Sequence, residues 1–88
     1  MYALDDVLNQ LSRYRQRATY GAVGELVGQP PMFLMNGRPR DAHNSWVVSK
    51  ETCLPSKYEK YQMHPDLESR PMVLETREEL AHWLANPE

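Results

Sequence analysis

Apolar residues recur at helical spacing at the start of the chain: Leu4, Val7, Leu8, Leu11 and Tyr14 lie on one stripe. That period predicts an amphipathic helix. Asp5 and Asp6 near its start and Arg13, Arg15 and Arg17 near its end suit the helix dipole. The three arginines are read first as helix stabilisation, with phosphate contact as the alternative. Thr19 is an N-cap residue for a second helix, whose apolar face is Tyr20, Val23, Leu26 and Val27 and which Gly28 can close. Gln29-Pro30-Pro31 is a tight break, and Pro31 can open a third helix over residues 32–36, ended by Gly37. Two short helices about a break give a helix-turn-helix shape.

Beyond Gly37 the pattern changes. Gly37 to Asp41 reads as loop, and Trp46-Val47-Val48 reads as a strand. Lys50 to Tyr58, with Pro55 inside it, reads as a turn or wing, and His64 to Leu67 as a turn or helix start. Met72-Val73-Leu74 is a second short strand. Thr76 and Glu79 fit a capping box for a last helix that buries Leu80, Trp83 and Leu84 and stops at Asn86-Pro87. The expected fold is a small α+β, winged-helix-like domain spanning 1–88: a helix-turn-helix, short strands and a C-terminal helix.

Composition narrows the classes. With 88 residues the chain supports one domain and a small core. No apolar run reaches the roughly 18 residues of a membrane span, so no membrane partner is expected. Met1 to Asp6 has no basic start followed by an apolar stretch, so no signal peptide is expected. Cys53 is the only cysteine, which excludes an internal disulfide and any zinc site needing two cysteines. The expected compartment is a reducing cytoplasm. A net charge of −2 argues against strong non-specific nucleic-acid binding. Its distribution is uneven: residues 13–60 carry eight basic and four acidic side chains, and the last 28 residues two basic and six acidic. Either this is surface scatter, or the middle of the chain builds a basic face with an acidic helix turned away from it.

The block Thr19-Tyr20-Gly21-Ala22-Val23-Gly24-Glu25-Leu26-Val27-Gly28, with Gln29-Pro30 and Gly37 after it, resembles the helix-turn-helix of alkylguanine-DNA alkyltransferases and alkyltransferase-like proteins. His43 to Val48 resembles the family's Pro-Cys-His-Arg-Val-Val segment, and Leu54 to Tyr58 falls at its glycine-tyrosine loop. The resemblance covers about 40 of 88 residues. It implies a DNA-binding fold, with Tyr20 near a phosphate; the alternative for Tyr20 is packing on Tyr14 or Trp46. It also implies that Asn44 stands where the reactive cysteine should be and Ser45 where the activating histidine should be. Asparagine cannot accept an alkyl group as a thiolate can. The family's base-replacing arginine falls at Leu34, which either inserts into a base stack or belongs to the core.

No other chemistry is visible. Cys53 has no positioned histidine, His43, His64 and His82 lack metal-ligand spacing, and Glu75, Glu78 and Glu79 mark a helix start. No phosphate-binding glycine loop is present, and no enzyme activity, metal or cofactor is expected. The expected function is non-catalytic DNA binding. Helix 32–36 would enter a groove, with Asn36, Arg38, Arg40 and Lys50 on the DNA and Lys57 and Tyr58 helping from the wing. Asn44 and Ser45 would line the pocket of any flipped base. The rival is a protein-interaction module, homodimeric in one variant. It would use the Met32-Phe33-Leu34-Met35 cluster, because four consecutive apolar residues cannot all face one core from a helix.

Overall fold

The structure, a computed structural model, describes residues 2–86. Helix α1 spans Leu4–Tyr14 and buries Leu4, Val7, Leu8 and Leu11, the stripe set by their spacing. It ends at Arg15, whose φ of 54° reverses the chain. The chain then enters strand β1, Arg17–Thr19, so Arg17 is a buried strand residue and not part of the helix end. Thr19 caps helix α2, Tyr20–Val27, by accepting a hydrogen bond from the Ala22 amide at 3.1 Å. Gly28 closes α2 at φ 76°, and the Gln29 amide bonds back to the Gly24 carbonyl at 2.9 Å. That is the backbone bond of a glycine C-cap.

Strands β2, Val47–Val48, and β3, Val73–Leu74, both form where the β-prone residues stand. They do not pair with each other. Each lies parallel to β1, giving the order β2-β1-β3, with Ala18 opposite both Val47 and Leu74. Parallel sheets need both faces covered, and Ala18, Val47 and Val48 are buried. Helix α3, Arg77–Ala85, carries the expected capping box between Thr76 and Glu79. It adds Leu80 and Trp83 to a core shared with α1, α2 and the strands. Tyr14 meets the edge of Trp83 at 5.9 Å between ring centroids.

This is the expected small α+β architecture. One further local expectation changes. Residues 32–36 do not form an α-helix: a 3-10 turn spans Pro31–Phe33, and further turns run to Gly37. The amides of Leu34, Asn36 and Arg38 each bond three residues back. Two prolines and a glycine at φ 79° bracket a segment too short to repay helix nucleation. Residues 50–58 form turns, as their pattern predicts, and Cys53 and Lys57 adopt positive φ. The segment is closed by backbone bonds from the Ser49 amide to the Leu54 carbonyl and from the Cys53 amide to the Ser49 carbonyl. Among the described residues no helix is long and apolar enough to cross a membrane.

Candidate nucleic-acid interface

The start of α2, the turns after Pro31 and the loop at 56–58 enclose an open cleft of about 520 Å³. Three cationic side chains line it: Arg38, Arg40 and Lys57. Tyr20, Asn36 and Tyr58 add polar and aromatic surface, and Met32 and Met35 add apolar surface.

The frame of the cleft comes from α2. Thr19 both caps that helix and donates its hydroxyl to the Glu75 carbonyl at 3.3 Å, tying the helix start to the segment after β3. Tyr20, the next residue, accepts a hydrogen bond from the Ser56 amide through its phenol oxygen at 3.0 Å. One wall is thus attached to the other. Neither of the aromatic contacts expected for Tyr20 is the one that holds its hydroxyl; that group is engaged with the loop.

Gly24 allows the opposite wall to sit close. A Cβ there would lie 2.7 Å from the Gln29 carbonyl oxygen and 3.3 Å from Pro31 Cγ. No real side chain tolerates the first distance, so glycine lets the 29–31 turn press on α2. Leu34 is 2% exposed and belongs to the core. Of the two readings of Leu34, the structure selects the core.

The three cations differ in their surroundings. Arg38 forms an ion pair with Asp5 in the first turn of α1. Arg40 and Lys57 are exposed, and among the described residues neither has an ion-pair partner. Tyr58 is half-buried. Burial first, and then the Asp41 carboxylate and Tyr20, push its phenol up to about 12; the Asp41 backbone and Arg40 act in the opposite direction. It remains a neutral phenol through the physiological range.

Asn44 and Ser45 lie outside this lining. Asn44 is 7% exposed, and its side-chain amide donates to the Pro39 carbonyl at 3.0 Å. Ser45 is fully buried, donating to the Ala42 carbonyl at 2.8 Å and accepting from the His64 amide at 3.2 Å. Both knit the 39–45 loop together. Both side chains are turned to backbone partners and away from the cleft. Lys50 is exposed but also outside the cleft lining.

Sequence reasoning missed Arg17. Its guanidinium is buried and donates to the carbonyls of Cys53 at 3.0 Å and Arg70 at 2.8 Å, while its Nε has no partner. It braces the 53 loop and the 70 loop against β1. Nothing in the local pattern distinguishes it from Arg13 and Arg15. No group of three His, Cys, Asp or Glu side chains that could hold a metal occurs among the described residues. In comparisons with protein-family models, curated proteins and solved structures, no match to this chain was found.

Proposed function

We propose that this chain is a non-catalytic DNA-binding domain whose contact surface is the cleft lined by Arg38, Arg40 and Lys57. The observation that carries the reading is the convergence there of those three cations with Asn36, Tyr20 and Tyr58, although they come from three separate stretches of chain. Arginine and lysine contacts to phosphate set register and supply most of the affinity. Asn36 can hydrogen-bond a base edge, as asparagine does with adenine.

In this reading α2, the Gly28–Pro31 break and the turns after it act as a shortened, winged-helix-like DNA reader. The tight turns replace the recognition helix, and the 50–58 loop replaces the wing. The absence of catalysis is part of the proposal. It is supported by the burial and hydrogen bonding of Asn44 at the position where the resemblance would require a reactive thiol. A reducing, cytoplasmic setting suits a chain whose only cysteine is Cys53.

A labelled duplex, with and without an alkylated guanine, is the probe. Binding at low salt that is lost on R38E/R40E supports the reading, and no binding at low salt refutes it. A second reading has its own observation: Met32 is 78% and Phe33 58% exposed. Exposed neighbouring apolar residues mark interaction sites, so a protein partner or a second copy of the chain could cover them. R38E/R40E separates the two readings, because a partner seated on Met32 and Phe33 would tolerate it.

A further inference from the structure

We infer that Asp5 is a built-in competing anion: it occupies Arg38 in the free protein, weakens binding to the cleft, and is displaced when a phosphate of the ligand takes its place. The inference rests on the DNA-binding reading and adds an internal gate to its cleft.

The first turn of α1 carries two acidic residues, Asp5 and Asp6. Both suit the positive end of the helix dipole. Asp5 does more: its Oδ1 accepts a hydrogen bond from Nη1 of Arg38, 33 positions further along the chain. Arg38 lines the cleft with Arg40 and Lys57. The Asp41 carboxylate, next to Arg40 in sequence, is spent elsewhere, accepting from the Asn44 amide at 3.0 Å. Among the described residues, Arg38 is therefore the cleft cation to which the chain itself supplies an anion.

The pair is built to open. The Asp5 side chain is 72% exposed and that of Arg38 31%, and solvent-exposed ion pairs are weak. One carboxylate oxygen meets one guanidinium nitrogen. A phosphate can take two prongs of the guanidinium fork, a stronger arrangement. The exchange is a side-chain event. The Arg38 amide stays bonded to the Met35 carbonyl at 3.2 Å, and Pro39 stiffens the chain after it.

The number of charges on the ligand decides the exchange. A single anion meets Asp5 as a competitor already tethered at the site. A nucleic acid held by Arg40 and Lys57 keeps further phosphates close to Arg38, so that displacing Asp5 becomes an intramolecular step.

The test is fluorescence anisotropy of a labelled duplex at low salt with full-length wild type, D5N, D6N, R38Q and D5N/R38Q. D5N is expected to bind about two- to fivefold tighter than wild type, the worth of one exposed ion pair. D6N removes the same charge from the same exposed turn without touching Arg38, and is expected to gain clearly less. D5N/R38Q is expected to bind as R38Q does, because the gain requires the guanidinium. Equal gains from D5N and D6N, a D5N gain that persists without Arg38, or no gain from D5N overturns the gate and leaves the DNA reading standing. No duplex binding by any of these proteins overturns both.

Discussion

The phenol oxygen of Tyr20 accepts a hydrogen bond from the Ser56 amide at 3.0 Å, joining the first residue of α2 to a loop 36 positions further along the chain. The bond sets the width of the cleft at one side. Tyr20→Phe keeps the ring and removes the acceptor. The expected cost is about 1 kcal/mol of stability, with faster hydrogen exchange at the Ser56 amide. Unchanged exchange there would show that the bond does not hold the loop.

Gly24 supplies the second constraint. Gly24→Ala places a methyl group against the Gln29 carbonyl and Pro31. Overpacking of this kind costs about 1–3 kcal/mol, more than the gain from alanine's better helix propensity. Urea denaturation should show a lower midpoint. A more stable variant would mean that the 29–31 turn moves away freely.

Arg17 reaches two loops from β1. Arg17→Met retains the aliphatic bulk but leaves the Cys53 and Arg70 carbonyls without their donor. Hydrogen bonds from charged donors are worth about 1.5–3 kcal/mol each, so a loss of about 2 kcal/mol or more is expected in denaturant titration. Equal stability of the two proteins would argue that the clamp contributes nothing.

Tyr58 gives a pH signature. Its folded-state value of about 12 lies above the ordinary 10.0. Between those values the folded chain holds a proton that the unfolded chain has released. Stability from this group is therefore complete below pH 10 and declines as pH rises towards 12. Absorbance titration should show a late-ionising tyrosine that is missing in Tyr58→Phe. If the late component persists in that variant, another tyrosine is responsible.

The helices were legible where pattern and caps agreed. Leu4, Val7, Leu8 and Leu11 set α1, Thr19 and Gly28 bounded α2, and Thr76 with Glu79 opened α3. Strand β1 was not legible, because Arg17-Ala18-Thr19 shows no alternation and its extended form depends on β2 and β3, distant in sequence. The stretch 32–36 has the pattern of a helix but forms tight turns. Its apolar run divides instead, with Leu34 inside and Met32 and Phe33 outside, as tight turns permit. Arg38, Arg40, Lys57 and Tyr58 could be nominated from charge and resemblance, and they do share one cleft. Asn44 and Ser45 could not be placed correctly, since burial of a polar side chain depends on carbonyls supplied by its own loop, here Pro39 and Ala42.

The most direct measurement is a fluorescence-anisotropy titration of a labelled duplex with wild type and R38E/R40E across a range of salt concentrations. If Arg38, Arg40 and Lys57 each neutralise a phosphate, log affinity should fall with log salt at a slope of about −2 to −3 for wild type. Binding should be abolished in R38E/R40E. No binding by wild type at low salt, or equal binding by R38E/R40E, would contradict a DNA-binding role for the cleft.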